Sequence, residues 1–156
     1  MTYSISIYAF EGQLVYTAAM DMYFDKYKGV GPGYYSEPIL VSSLKCSVED
    51  IEAAICQCIN VLQDHQDVIF KDNSENSIMQ MEKRLFQNFK LFGITASKSQ
   101  ITKQSTEILI RRKRDSFTLC KCKAKGRHMM VEKEVSLSAE VPMSEVARCV
   151  LELFTA

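Results

Sequence analysis

Ser105–Arg127 reads STEILIRRKRDSFTLCKCKAKGR, and the fold follows from how this stretch is parsed. Thr106, Ile108 and Ile110 alternate with Glu107, Leu109 and Arg111, and after Arg112–Asp115 the alternation resumes through Phe117, Leu119, Cys120 and Cys122. A period of two sends successive side chains to opposite faces of an extended chain, so the stretch predicts two antiparallel strands joined by a charged tip. The same stretch divides the charge. Between Arg111 and Arg127 stand eight of the 19 basic residues and one of the 19 acidic ones, Asp115, so this segment carries +7 and the remainder −7 although the formal net charge is zero. Such a division suits a surface that meets a partner of complementary potential.

Working outward, Tyr3–Phe10 also alternates, with Tyr3, Ile5 and Ile7 on one face and Ser4, Ser6 and Tyr8 on the other. Glu11-Gly12-Gln13 supplies a turn and Leu14–Ala18 a return strand, predicting a first hairpin. Asp21–Ser36 gathers Tyr23, Phe24, Tyr27, Tyr34 and Tyr35 around Gly29, Gly31, Pro32 and Gly33. Glycine and proline predict a loop here, and its tyrosines either cover the core edge or present a contact surface. Pro38–Ser42 reads as a strand. Ser47 then caps a helix whose first turn carries Glu49 and Asp50 and whose apolar positions Ile51, Ala54, Ile55, Cys58, Ile59 and Leu62 form one stripe.

A second helix is predicted from Ile78, Met81, Leu85, Phe89 and Phe92, capped within Asp72–Asn76 and ended by Gly93. Ser97–Gln104 is a polar connector with one helical turn. Beyond Gly126, His128–Leu137 predicts another strand. Pro142, Ser144 and Glu145 open a terminal helix striped by Val146, Val150, Leu153 and Phe154. Ile39–Ile59 and Glu134–Phe154 share a strand-connector-helix order, which reads either as two related modules or as what any two such units share.

With 156 residues, 47% apolar and 24% charged, the chain matches one globular domain able to bury a core without staples. MTYSISIYAF lacks a basic, apolar leader, and no window approaches the roughly 20 apolar residues of a membrane span, so a cytoplasmic protein with no membrane partner is expected. Cys46, Cys56, Cys58, Cys120, Cys122 and Cys149 read as reduced, mostly buried thiols.

No catalytic motif is present. Cys56-Gln57-Cys58 and Cys120-Lys121-Cys122 offer four thiolates for a tetrahedral metal, but a two-residue helical step turns side chains about 200° apart, so the first pair diverges. His65 and His128 stand outside any nucleophile or metal motif, and Gly29-Val30-Gly31-Pro32-Gly33 matches no phosphate-binding loop. The expectation is a non-enzyme without cofactor or metal. The basic 111–127 segment could instead track a phosphate backbone, as a small nucleic-acid-binding or regulatory module would, or form a solvated edge whose lysines deter aggregation. A sequence pI near 6.7 and Phe117 as the lone neighbouring aromatic argue against nucleic acid.

Four segments together resemble the immunity proteins of bacterial contact-dependent growth inhibition systems. They are PILVSSLKCSVEDIEAAICQCINVL, RLFQNFKLFGITASKSQITKQS, ILIRRKRDSFTL and VSLSAEVPMSEVARCVLELF, which span the chain from about Tyr35 to the C-terminus. The turn after Arg114 departs from the pattern in lacking a glycine before Phe117. The resemblance implies binding of a cognate toxin domain, often a nuclease, at the C-terminal region of a large secreted protein, with inhibition by shape and charge alone. If the toxin cleft is basic, Glu49, Asp50 and Glu52 or the Asp64–Asp72 segment would face it. If the hairpin edge binds, Arg111, Arg112, Lys113 and Arg114 would meet an acidic toxin surface, with strand addition as one route. Tyr23, Tyr27, Tyr34 and Tyr35 are further contact candidates. The fold expected is α+β, a mainly antiparallel sheet of five to six strands with about three packed helices, acting as a monomer or weak dimer.

Overall fold

The computed structural model describes the chain except residues 25–28, 35–39, 44, 70–82, 84, 85, 88 and 127, and describes the backbone alone at residues 24, 32, 34 and 40–42. Its seven strands are β1 (Tyr3–Phe10), β2 (Gln13–Phe24), β3 (Gly29–Tyr34), β4 (Leu40–Ser43), β5 (Thr106–Arg112), β6 (Ser116–Lys125) and β7 (His128–Ser138). All pair antiparallel in one sheet ordered β3-β2-β1-β5-β6-β7, with β4 also on β2. β4 pairs with Gln13–Tyr16 and β3 with Ala19–Phe24, so the two lie end to end along one edge of β2 and the sheet is six strands wide. The α+β class and the strand count agree with the sequence reading.

Pleat and register then decide where the core sits. Ile5 and Ile7 of β1, Leu14 and Tyr16 of β2, Ile108 and Ile110 of β5, and Phe117 and Leu119 of β6 share one face and are buried. Against that face pack the helices α1 (Val48–Asp64) and α3 (Met143–Thr155), through Ile51, Ile55 and Leu62 of the first and Val146, Val150 and Leu153 of the second. Each helix presents the apolar stripe that its 3.6-residue period predicts. Lys121, on the same face of β6, is 9% exposed and donates Nζ to the Ala156 carbonyl oxygen at 2.9 Å, beyond the last turn of α3.

The reverse face is covered along half its length. Tyr8, Phe10 and Val15 meet Phe89, Ile94 and Ile101 in a second buried cluster. Phe89 contacts Tyr8 edge-on, with ring centroids 5.3 Å apart, and stacks with Phe86 at 5.9 Å. Where described, residues 83–91 are helical, and Gly93 (φ +78°) ends them: Ile94 N–H bonds Phe89 O at 3.1 Å and Gly93 N–H bonds Lys90 O at 3.0 Å. This paired closure needs a left-handed residue at Gly93. The predicted start of that helix, including Ile78, Met81 and Leu85, lies outside the described residues. The polar connector is α2 (Lys98–Gln104), capped reciprocally by Ser97 and Gln100 and buried through Ile101.

Two turns carry the hairpins. Glu11 (φ 49°) and Gly12 (φ 77°) form the two-residue loop between β1 and β2, the left-handed pair that matches strand twist. At the β5–β6 tip, Lys113 N–H bonds Ser116 O at 2.9 Å. Arg112 donates to the carbonyls of Lys113 and Arg114, and its guanidinium lies 4.9 Å from the Phe117 ring centroid. These contacts hold the tip without the glycine expected before Phe117.

One expectation is corrected. Asp21–Ser36 is not a loop throughout: β2 continues to Phe24 and returns as β3. Gly33 serves close packing, since a Cβ there would fall 2.0 Å from Met22 Sδ. Pro32 is tolerated because β3 is an edge strand.

The α1 start is testable on its own. Ser47 accepts from Asp50 N–H at 3.2 Å, and Asp50 Oδ2 accepts from Ser47 N–H at 3.1 Å. Ser47→Ala removes half of this box, and an equilibrium urea titration is expected to show a loss of about 0.5–2 kcal/mol. An unchanged midpoint would mean that packing alone holds the helix start.

Candidate partner-binding cleft

The half of the reverse face left uncovered is a cleft of about 710 Å³. Its position is written into the strands. The even positions of β1 begin as Ser4 and Ser6 and change to Tyr8 and Phe10, so the outer part has too little apolar surface to hold a covering helix. Register extends the floor across three strands: Ser6 lies between Thr17 and Leu109, Ser4 between Ala19 and Arg111, and Tyr8 between Val15 and Glu107. Phe86, Ile101 and Thr102 wall the inner end, Met129 of β7 one side, and Asp21, Val30 and Gly31 of the β2–β3 hairpin the other. Arg111, Arg112 and Lys113 line the outer end.

Glu107 is the acidic group on this floor in contact with the second buried cluster. It is half-buried, and burial pushes its carboxyl above the usual range, partly opposed by hydrogen bonds from the Ser6 and Tyr8 hydroxyls and by Arg111. The titratable groups facing it are Tyr8 from β1, Cys120 and Cys122 from β6 and Arg111 from its own strand. The native state therefore holds the proton more tightly than the unfolded chain, so this group's stabilising contribution is present below the unfolded pKa and is lost as pH rises through the higher folded value. Glu107→Gln keeps the acceptor for Ser6 and Tyr8 and removes the charge. Its melting temperature is expected to exceed that of the wild type at pH 7 and to match it at pH 4, as read by thermal melts at both pH values. A lower melting temperature at pH 7 would show that the charged form is favoured.

The sequence-derived candidates separate in space. Tyr23 is 58% exposed on the extension of β2 beyond the start of β1, at the same end of the sheet as the Arg111–Arg114 tip. Arg111 faces the cleft, while Arg112, whose stem borders the outer end, turns its guanidinium to the opposite face over Phe117. Lys113 and Arg114 are exposed. Tyr34 is in β3, and Tyr27 and Tyr35 lie outside the described residues. Glu49, Asp50 and Glu52 stand at the other end of the sheet, because β4 delivers the chain to α1 beside the β1–β2 turn. Residues 70–72 of the Asp64–Asp72 segment lie outside the described residues; Asp64 and Asp67 are exposed.

The +7 segment is thus not one patch. Lys121 is committed to α3, and Lys123 and Lys125 lie at the far end of β6 from the tip. The cysteine pairs likewise stand apart, with Cys58 on the buried face of α1 and Cys120 and Cys122 on the reverse face of the sheet; all six are free thiols. His65 ends α1, its Nδ1 3.0 Å from Val61 O, and His128 is exposed. Periodicity analysis missed Glu107, Thr17 and Ser105 as cleft residues. The signal available was one acid within the apolar run Ile108–Ile110 and its neighbours.

Among the described residues, no helix is long and apolar enough to cross a membrane. No protein-family model and no curated protein matches the sequence. Solved structures do match in fold. A protein of unknown function from Neisseria meningitidis superposes with a TM-score of 0.62 at 15% identity, over 98% of this chain and 93% of that one. A chain of the CdiA-CT/CdiI toxin and immunity complex from Yersinia pseudotuberculosis superposes with a TM-score of 0.60 at 12% identity, over 98% and 95%. The fold is therefore shared over nearly the whole chain with a chain of a toxin and immunity complex.

Proposed function

We propose that this chain is an immunity protein that binds and neutralises the toxin domain of a contact-dependent growth inhibition system, one to one, in the cytoplasm of the cell it protects. The observation that carries this reading is the fold shared with a chain of the Yersinia toxin and immunity complex. The toxin proposed is a nuclease, the C-terminal region of a large secreted protein. Inhibition of this kind needs no catalytic group, only a surface complementary to one partner.

The contact surface proposed is the outer end of the sheet, where the cleft mouth, Arg111, Lys113, Arg114 and the tyrosine-bearing β2–β3 hairpin meet. Its apolar floor and rim, including Leu109 and Val30, supply burial, and the charges supply orientation. The second surface, Glu49, Asp50 and Glu52, would serve if the toxin's basic substrate cleft docks directly. A tagged chain, expressed in its native cells as monomer or weak dimer, is expected to capture the C-terminal fragment of one large protein. Capture of nucleic acid without protein would replace this reading with the regulatory module.

A further inference from the structure

The side chains of Arg111, Arg112, Arg114 and Arg148 are described, and the fold engages two of them. Arg112 donates to the carbonyls of Lys113 and Arg114 and lies over Phe117, and Arg148 is held between Glu145 and Glu152. Arg114 stands on the exposed tip, outside the cleft. Arg111 lines the cleft, and no ion pair or side-chain hydrogen bond joins its guanidinium to another described residue. Its donors therefore face the open end of the cleft unengaged.

Register fixes what surrounds it. Arg111 stands between Ser4 of β1 and Thr118 of β6, and Ser136 of β7 lies beyond Thr118, so its level of the sheet is a row of hydroxyls. Hydroxyls leave the positive charge uncompensated, and each can donate to an anion seated on the guanidinium. Asp21 is on the other wall, across Thr2 from Lys113 and two strand spacings, about 10 Å, away. Inward along β5 the floor changes character. Leu109, half-buried, follows about 7 Å behind Arg111 on the same face, and Glu107 stands about 13 Å behind it. The cleft is thus positive at the mouth, apolar in the middle and acidic at its covered end.

We propose that Arg111 is a carboxylate seat, the guanidinium taking one acidic side chain of the partner in a paired hydrogen bond while an apolar neighbour of that acid lies over Leu109. The planar fork of a guanidinium matches the two carboxylate oxygens, which an ammonium such as Lys113 does not, so Arg111 selects the group and Lys113 adds field. An extended segment presents residues two apart to one side at the same 7 Å spacing, so an acid and an apolar residue separated by one position meet Arg111 and Leu109 together. The inference rests on the immunity reading for the partner's identity and deepens it by giving the chemistry of the contact.

The seat can be tested without any toxin. The full chain, labelled with ¹⁵N, is titrated with the N-acetylated, amidated tripeptide leucine-alanine-glutamate, and the same peptide ending in glutamine is the neutral control. Saturable shifts confined to the Arg111 Nε–H and the amides of Ser4, Ser6, Leu109 and Arg111 are expected, with at least about tenfold weaker binding of the neutral peptide. Arg111→Gln and Arg111→Lys are each expected to weaken binding about tenfold, the second although it keeps the charge. Lys125→Gln removes the same charge as Arg111→Gln at the far end of β6 and is expected to change binding less than about twofold. Arg111 is exposed, so its variants are expected to melt with the wild type. Absent or scattered shifts, equal response to the neutral peptide, wild-type binding in Arg111→Lys, or an equal loss in Lys125→Gln would overturn the seat. The probe contains no toxin, so a negative result removes the seat and leaves immunity standing; failure of growth rescue with a positive probe does the reverse.

Discussion

Phe89→Ala is expected to cost about 3–5 kcal/mol, a large share of the roughly 5–15 kcal/mol by which a domain of this size is folded. Phe89 is fully buried and lies against both Tyr8 and Phe86, so truncation leaves a void between the reverse face and the 86–101 segment. The main core beneath α1 and α3 is on the other side of the sheet and cannot collapse into it. The effect extends beyond stability. Tyr8 bonds Glu107, so a loosened Tyr8 ring also releases the cleft floor. Urea titration reads the stability change, and the Glu107-region amide resonances read the floor. A loss below about 1 kcal/mol would mean that the second cluster closes over the void and is not a rigid wall.

Reversing the exposed tip charges is the second large effect. Arg111→Glu, Lys113→Glu and Arg114→Glu together change the local charge by six units while leaving Arg112, which holds the tip through the Lys113 and Arg114 carbonyls and the Phe117 ring. Rim charges act mainly on encounter, so the association rate with the toxin is expected to fall about 10- to 100-fold, with a reversed salt dependence. The melting temperature should stay close to the wild type, because exposed charges contribute little to stability. Unchanged association would move the interface to the α1 start, and Glu49, Asp50 and Glu52 would be reversed next.

Much of this fold was legible because the strongest patterns are local. The alternation in Tyr3–Phe10 and Thr106–Arg112, the stripe from Ile51 to Leu62, and the Ser47 cap each state a period and a boundary, and the structure has β1, β5 and α1 there. The β2–β3 hairpin was misread because Gly31, Pro32 and Gly33 resemble loop punctuation. What admits them to a strand is non-local: an edge position for Pro32 and the Met22 side chain lying over Gly33.

The charge division shows the same limit at the candidate site. Along the chain, Arg111–Arg127 is one basic block; in the sheet its members point to two faces and two ends. Alternation alone placed Arg111 with Glu107 and Leu109. It could not place Thr17 opposite Ser6, nor Tyr8 and Val15 under Phe89, because those neighbours depend on strand order and register. The cleft is a property of pairing, and pairing is set by contacts between residues distant in sequence.

The central claim is that this chain protects a cell by binding one toxin. The most direct measurement is growth of cells induced to express the toxin domain encoded immediately upstream, with and without co-expression of this chain. The account predicts arrest without the chain, growth with it, and a one-to-one complex on purification. Arrest that persists when the folded chain is present at equal or greater abundance, with no complex recovered, would contradict it.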